Sequence, residues 1–366
     1  MRLKSALLAV AALVLAAPSL AQPDDRPPRP ELPALALNSQ MTDAEVGAAL
    51  DPWFAGMTQS GLFNGAVVVA RDGREVFARG YGSTGLTGGA AVGPDTRFPI
   101  ASIGKAFTHV AIAYLIQQGR LTPETTIADV IPDYPNTVSR SATIAQLLDH
   151  RAGIADIFGP AFREAPKSQF LSNADYYRFV SAQPPMFAPG EAQEYCNGCY
   201  VVLGEVIARV SGQSYEAYVA QHVFAPAGAD GCAYLRQDQL PDDVARFVGR
   251  PRGPGTPFED VSRFHGVAGS AAGNPYCSVR DLLAFDNALR EQRLLNAELT
   301  AQVLRGEPQA GRHTRRIGFA GGGPGVNGIL FGNGAWTVIV LTNRPEPAGE
   351  VVGETLFSLL AGPRPQ

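Results

Sequence analysis

Apolar and polar residues follow two different spacings along this chain. Short apolar runs of strand length lie near both ends, and segments with helical spacing fill the middle. Residues 65–82 predict a β-hairpin that turns at Asp72-Gly73. Residues 326–331 and 336–342 predict a second hairpin around Gly332-Asn333-Gly334.

The predicted helices lie mostly between the two hairpins. They cover residues 42–54, 101–118, 200–210, 215–223, 281–289 and 350–360. Residues 236–262 are polar and rich in Pro and Gly, which predicts a long surface loop. The pattern therefore predicts an α+β fold, with an antiparallel sheet formed by both termini and flanked by helices. A mostly helical region at about 101–264 is inserted between sheet regions at about 41–100 and 265–363.

The first 21 residues have the three-part order of an export signal. Arg2 and Lys4 form a positive start, residues 6–17 are apolar but too short to span a bilayer, and Ser19-Leu20-Ala21 supplies a cleavage site. The alternative is an N-terminal core helix. No cysteine follows the site, so we expect no membrane anchor. We predict a periplasmic or secreted protein with a Pro-rich linker over 22–40 and a single catalytic domain over 41–363.

The net charge of the chain limits the kinds of molecule that it can be expected to bind. The chain has 366 residues and a net charge of −4, which becomes −6 once residues 1–21 are removed. Nucleic acid is excluded as an expected partner, because binding to phosphates needs clustered cations. Lysine is rare, occurring only at Lys4, Lys105 and Lys167 among 30 basic residues. A lysine kept in such a chain can serve where an amine must lose its proton, which arginine cannot do.

Ser102-Ile103-Gly104-Lys105 begins the predicted 101–118 helix with S-x-x-K spacing. Residues three apart lie on one helix face, so the amine can reach the hydroxyl and take its proton. The helix N-terminus also favours negative charge that develops nearby. The alternative is a surface lysine one turn after a capping serine.

Further motifs follow in order along the chain. They are Arg97-Phe98-Pro99-Ile100-Ala101-Ser102, Leu147-Leu148-Asp149-His150-Arg151-Ala152-Gly153, Phe187-Ala188-Pro189-Gly190 and Tyr195-Cys196-Asn197. With these residues the chain resembles the serine β-lactamase and penicillin-binding-protein superfamily, and within it the class C β-lactamase-related serine hydrolases. The resemblance runs from about residue 60 to 345 and implies the β-lactamase/transpeptidase-like fold.

The resemblance implies roles for four residues. Ser102 would be the acyl-accepting nucleophile, and Lys105 would act as its base or share that work with Tyr195. Tyr195 would also relay protons to the leaving group and activate water. Asn197 would orient Lys105 and bind substrate. A buried structural tyrosine and a helix-capping asparagine are the alternatives, and His150 resembles a structural histidine of the family.

The third family motif departs from its pattern. The resemblance aligns Phe319 with a Lys or His that helps bind a substrate carboxylate, so this cation is missing. Gly321 still allows close approach of the backbone, and the N–H groups of Ser102 and Gly322 would form an oxyanion hole. Three residues could supply a cation instead: His313, Arg315 and Arg316.

Other motifs point to no cofactor or metal. The G-x-G-x-x-G run from Gly80 is not followed by a helix, which dinucleotide binding requires, and the histidines show no H-E-x-x-H spacing. Four cysteines allow three disulfide connectivities, and we expect one or two structural bridges bracing the site. They are Cys196, Cys199, Cys232 and Cys277. A redox role for the C-x-x-C pair is the alternative.

Three functions are compatible with these residues. The first is a serine hydrolase that forms an acyl-enzyme on Ser102 with a small ester, amide or peptide. The second, motivated by Phe319, is an inactive binding protein on the same fold. The third is a β-lactamase or D,D-carboxypeptidase, which the missing cation disfavours. The sequence does not determine the oligomeric state.

Overall fold

A computed structural model describes residues 31–253, 255–304, 318–344 and 348–361. The predicted export signal and the linker up to residue 30 lie outside the described residues. The three alternative cations, His313, Arg315 and Arg316, also lie outside them.

The strands form one main sheet and two short pairs. The strands are β1 (Gly65–Arg71), β2 (Arg74–Tyr81), β3 (Phe98–Pro99), β4 (Val248–Gly249), β5 (Glu259–Asp260), β6 (Tyr276–Cys277), β7 (Gly318–Gly323), β8 (Val326–Gly332) and β9 (Trp336–Thr342). The main sheet has the order β2-β1-β9-β8-β7, with antiparallel neighbours. β3 pairs with β6, and β4 with β5.

Helices cover both faces of this sheet and fill the inserted region. They are α1 (Asp43–Gln59), α2 (Lys105–Gln117), α3 (Ile127–Val130), α4 (Ile144–Leu148), α5 (Pro160–Glu164), α6 (Asn173–Ser181), α7 (Asn197–Ser211), α8 (Tyr215–Val219), α9 (Ala225–Ala227), α10 (Val279–Arg290), α11 (Ala297–Leu304) and α12 (Ala348–Ala361). None of the helices within the described ranges has the length and apolarity that crossing a membrane requires.

The two predicted hairpins meet at the centre of the sheet. β1 pairs with β9 along its whole length, from Gly65 opposite Thr342 to Arg71 opposite Trp336. The predicted α+β fold, with a sheet built from both termini, is therefore confirmed. The inserted region between β2 and β7 carries most of the helices.

Both faces of β1 are buried, which explains its continuous apolar run. Ala66 and Val68 belong to a large core shared with α2, α7 and α10. Val67 and Val69 face the other way, into a second core with α1 and α12. The inserted helices therefore lie on one side of the sheet, and α1 and α12 cover the other.

The predicted 101–118 helix begins as a tighter turn. Residues Ala101–Gly104 form a 3₁₀ turn, and α2 follows from Lys105. Side chains three apart align closely in 3₁₀ geometry, so Ser102 and Lys105 stay on one face. Gly104 lies against Pro275, where a Cβ would come within 2.7 Å of the proline ring. A residue with a side chain would push the turn away from this loop.

Packing begins earlier than the predicted start at Met41. Leu37 is buried against the core beneath α1, and the indole N–H of Trp53 donates to the Pro33 carbonyl at 3.0 Å. Part of the predicted linker is therefore bound to the domain. The physical reason is that three leucines lie within six residues of this stretch, so an extended chain can place apolar side chains on α1.

Two disulfides select one of the three connectivities. Cys196 bonds to Cys199, and Cys232 bonds to Cys277, which leaves no free cysteine. The first bridge lies at the start of α7. The second ties the segment before β4 to β6, the partner of β3 just before Ala101. Both bridges thus lie on segments next to the S-x-x-K turn or to Tyr195.

The two disulfides predict unequal stabilisation. The Cys232–Cys277 bridge closes a loop of 45 residues, and the Cys196–Cys199 bridge a loop of 3. Chain entropy then gives about 4 kcal/mol for the long loop and about 2 kcal/mol for the short one. Paired alanine variants of each bridge, compared by urea unfolding, should lose stability in that order. Thiol titration of the unfolded, unreduced protein should find none; four thiols, or the opposite order, would contradict this account.

Candidate active site

The backbone around Ser102 is held in an uncommon conformation. Ala101 has a φ of 45°, which residues with a Cβ rarely adopt. The neighbouring loop fixes it, because Asn274 N donates to the Ala101 carbonyl at 3.1 Å and Ile100 N donates to the Pro275 carbonyl at 3.1 Å. Such strain persists only where the surroundings determine it, and it often marks functional sites.

Lys105 lies behind Ser102, completely buried. Its ammonium donates to Ser102 Oγ at 2.9 Å, to Asn197 Oδ1 at 2.8 Å and to the Ala272 carbonyl at 2.7 Å. These acceptors replace the water that a buried cation loses. The predicted pairing of serine and lysine is present, and the surface-lysine alternative does not describe this residue.

Tyr195 is the second side chain that forms a hydrogen bond with the Ser102 hydroxyl. Its OH donates to Ser102 Oγ at 2.8 Å, and the Lys105 Nζ lies 4.8 Å from the centre of its ring. Tyr195 is 37% exposed, so it can reach both the nucleophile and solvent. Ser102 Oγ therefore accepts a hydrogen bond from each of the two groups predicted to handle its proton.

Asn197 links Lys105 to an acid that the sequence analysis missed. Its Oδ1 accepts from Lys105, and its Nδ2 donates to Asp156 Oδ1 at 3.0 Å. Asp156 therefore fixes which end of the amide faces the lysine. A sequence signal existed, because Asp156 lies three residues after Gly153 of the histidine-containing motif.

His150 contacts the backbone between Tyr195 and Asn197. It is buried, and its Nδ1 accepts from the Cys196 N–H at 3.1 Å. Its ring centre lies 4.8 Å from that of Tyr195. His150 thus supports the segment that carries both residues and makes none of the hydrogen bonds to Ser102 described above.

The sequence analysis also missed a group of buried side chains beside the Ala272 carbonyl, which accepts from Lys105. Thr108 Oγ1 donates to the Ala271 carbonyl at 2.7 Å and lies 2.7 Å from the Tyr215 OH. Asn173 Oδ1 accepts from Ala271 N at 3.0 Å. These buried contacts fix the backbone of Ala271, the residue just before the carbonyl that accepts from the Lys105 ammonium.

β7 lies against the Ser102 turn. A Cβ on Gly321 would come within 2.7 Å of the Ile100 carbonyl and 2.8 Å of Ser102 N, so the close approach requires glycine. Gly322 lines the same cavity as Ser102. Both predicted glycines of the third motif are therefore next to the nucleophile.

Phe319 is not brought into the cavity. It shares the face of β7 that carries Gly321, but it is 5% exposed and belongs to the large helical core. Residues two apart on a strand share a face. At Gly321 this face of β7 lies against the Ser102 turn, but at Phe319 it is covered by helices. Phe319 therefore does not take the predicted substrate-binding position, and direct contact between its ring and a substrate is not expected.

Ser102 opens onto a cavity of about 280 Å³. Its wall is mainly apolar, and the apolar lining residues include Ile157, Phe158, Phe162, Tyr176, Phe264 and Val326. Asn197, Ser270 and Asn274 add polar groups. An apolar chamber with a few converging polar groups is the usual form of a small-molecule site.

His265 is an uncharged part of this wall. It stacks on Phe247 at 3.9 Å, and its Nε2 lies 2.7 Å from the Pro324 carbonyl. Burial lowers the pKa of His265 to about 4, although the bond to Pro324 partly opposes this shift. The ring thus supports the turn after Gly322 without adding a charge near neutral pH.

No group of three or more His, Cys, Asp or Glu side chains in the described ranges is arranged to hold a metal ion. The chemistry described above uses a hydroxyl, an amine, a phenol and an amide.

A family model described as Beta-lactamase matches residues 50–362, which include all of these site residues. The chain belongs to the beta-lactamase family. This membership confirms the resemblance that the ordered motifs carry, and it supports a serine hydrolase.

Two curated relatives come from Bacillus subtilis strain 168. Penicillin-binding protein 4* is 25% identical over 336 residues, which cover 81% of this chain and 72% of the relative. A protein named as penicillin-binding protein PbpX is 28% identical over 235 residues, 63% of this chain. The chain spans 56% of the length of PbpX.

Two solved structures share the fold at lower identity. The D-amino acid amidase of Ochrobactrum anthropi SV3 superimposes with a TM-score of 0.73 at 20% identity, covering 87% of this chain and 98% of the amidase. EstCE1, a hydrolase with promiscuous acyltransferase activity, gives 0.68 at 18% identity, covering 87% and 100%. At these identities the likeness shows the fold.

His265 predicts a loss of stability in mild acid. Its pKa is about 4 in the folded protein and about 6.5 unfolded, so the unfolded chain binds more protons between these values. The free energy of unfolding should fall by up to about 3 kcal/mol from pH 6.5 to 4 through this group. His265→Gln keeps a donor for Pro324 and should flatten that fall in urea unfolding. An unchanged pH slope would show that His265 is not the group responsible.

Proposed function

We propose that this chain is an exported serine hydrolase that forms an acyl-enzyme on Ser102 and cleaves esters or amides. The observation that carries the proposal is the hydrogen bonding of Ser102 Oγ to both Lys105 Nζ and Tyr195 OH, at 2.9 and 2.8 Å. A serine hydroxyl needs an adjacent base to attack at neutral pH, and this serine has two candidates.

Acylation begins when Lys105 or Tyr195 has given up a proton and accepts that of Ser102. Oγ then bonds to the substrate carbonyl carbon, and the carbonyl oxygen becomes an oxyanion. The N–H groups of Ser102 and Gly322 are the proposed donors to this oxygen. When the intermediate collapses, Tyr195 protonates the departing alcohol or amine, and the acyl group remains on Ser102.

Deacylation uses the same groups in reverse. Tyr195 takes a proton from a water molecule, whose oxygen attacks the acyl carbon. Collapse breaks the bond to Ser102, returns a proton to Oγ and releases a carboxylic acid. Asn197 and Asp156 hold Lys105 throughout, because the amide bridges the two side chains.

The cavity favours a scissile bond with no carboxylate beside it. Position 319 of β7 carries a buried phenylalanine, so the third motif offers no cation there. An apolar wall suits an acyl group that is uncharged next to the scissile bond, and this supports esters or amides of that kind. The solved relatives of this fold include an amidase and the hydrolase EstCE1.

Penicillin recognition is a second candidate, favoured by the name of penicillin-binding protein 4*. A β-lactam carries a carboxylate next to its reactive ring, and here that group would meet no cation from β7. A β-lactamase or D,D-carboxypeptidase activity is therefore expected to be weak. An inactive binding protein would need a different explanation for the assembled Ser102 site.

Export remains part of the proposal and depends on residues 1–21. The signal-like order at the N-terminus and two disulfides both suit an oxidising compartment. We therefore expect the mature enzyme to act in the periplasm or outside the cell.

Ser102 and Lys105 should act as one catalytic unit. We expect Ser102→Ala and Lys105→Ala each to lower kcat/KM for 4-nitrophenyl butyrate by about 10³-fold or more, and the double variant to be no worse. Initial rates, with circular dichroism to verify folding, test this. Ser141→Ala changes an exposed serine outside the site and is the matched control. Activity kept in Ser102→Ala would contradict the acyl-enzyme.

Labelling should separate the two candidate functions. A fluorophosphonate has no carboxylate and should label wild-type protein at Ser102, as located by peptide mass mapping. A fluorescent penicillin should label it about ten- to a hundredfold more slowly, because a charge-assisted hydrogen bond is missing. Both labels should be absent from Ser102→Ala. Equal rates for the two probes would favour penicillin recognition.

A further inference from the structure

One permanently charged side chain lines the catalytic cavity among the described residues. It is Arg163, on the short helix α5. Lys105 is buried behind Ser102, and His265 is neutral above about pH 4. A guanidinium keeps its charge at every working pH. The cavity therefore has a cation, but on the helical wall and not on the sheet.

The backbone that carries Arg163 is well anchored. Its neighbour Phe162 is 2% exposed and packs on Phe170, with ring centres 4.9 Å apart. Lys167 Nζ donates to the carbonyls of Phe162 at 2.6 Å, Ala165 at 2.8 Å and Arg163 at 3.2 Å. One of the three lysines thus caps the end of α5. The backbone from which the Arg163 side chain extends is therefore held in place.

The Arg163 guanidinium has no hydrogen bond or ion pair with any residue in the described ranges. None of the described residues that line the cavity is an acid, and Asp156, the acid found beside Asn197, is bonded to that amide. Many arginines of this chain are paired with acids, as Arg178 is with Asp175. Arg163 is exposed and beside apolar side chains, so an anionic group entering the cavity would meet an available partner.

We propose that Arg163 binds a carboxylate at the far end of the substrate's acyl group. This inference rests on the proposed hydrolase function and names its substrate class: esters or amides of an acyl group with an apolar middle and a distal carboxylate. The acyl group stays on Ser102 through both chemical steps, so an anchor for it serves each of them.

The position of the charge then decides which substrates are accepted. A carboxylate next to the scissile bond, as in a β-lactam, faces β7, where Phe319 offers no cation. A carboxylate several carbons away spans the apolar wall and reaches Arg163. The enzyme would discriminate between anions by the distance of the charge from the carbonyl that Ser102 attacks.

The test compares substrates that differ only in the distal group. The 4-nitrophenyl half-esters of adipic, pimelic and suberic acids are each paired with the hexanoate, heptanoate or octanoate ester. The measured quantity is the ratio of kcat/KM for the anionic and the neutral ester of each length. We expect Arg163→Gln to lower the best ratio about two- to fivefold in low salt, the range for an exposed ion pair.

Controls separate charge from structure. Arg163→Lys keeps the charge and should retain most of the ratio. Arg178→Gln removes an exposed arginine outside the cavity and should leave the ratio unchanged. Added salt should lower the ratio in wild type but not in Arg163→Gln, because screening weakens exposed charge pairs. Equal ratios in wild type and Arg163→Gln at all three lengths would overturn the proposal.

A binding experiment does not depend on turnover. Ser102→Ala should bind monomethyl adipate more tightly than methyl hexanoate in NMR titrations, and Ser102→Ala/Arg163→Gln should bind both alike. If no ester is hydrolysed, the hydrolase proposal fails, but the NMR comparison still tests whether Arg163 binds a distal carboxylate. If neutral esters are hydrolysed through Ser102 and neither readout responds to Arg163, only the present inference fails.

Discussion

The Lys105 ammonium lies completely inside the protein, and the free energy of burying a charge constrains everything around it. Burial removes the hydrogen bonds that the ammonium would make to water, so acceptors of the protein must replace them at fixed positions. Ser102, Asn197 and the Ala272 carbonyl come from three separate segments of the chain. The site therefore depends on correct assembly of all three segments, and misplacing any one leaves a buried donor unsatisfied.

The fold was predictable in outline because its signals are local. The Asp72-Gly73 and Gly332-Asn333-Gly334 turns, each flanked by short apolar runs, indicated the two hairpins, and S-x-x-K placed two reactive groups on one turn. The packing of residues 31–40 on the domain was not predicted. The prolines of the predicted linker indicate an extended chain, but they do not show which surface it contacts. The bound position of Leu37 depends on α1, which is a tertiary property.

The site was predictable only where side chains carry the chemistry. Ser102, Lys105, Tyr195 and Asn197 could be named from motifs, and the structure brings them together. The Ala272 carbonyl has no sequence signature, because any residue supplies one. Phe319 aligned with a family cation, yet its depth in the core depends on the helices that cover β7. Arg163 lies in no motif, and only the cavity reveals its position.

The central position of β9 has a consequence for how the chain matures. β1 emerges early in synthesis, but one of its sheet neighbours is made only near the end of the chain. The N-terminal hairpin thus lacks one partner until almost the whole polypeptide is present, and such long-range pairing slows folding. A polypeptide that stays unfolded until its last strands arrive can be threaded through a narrow pore. Under the export that we propose, this topology would keep the chain in a threadable state for longer.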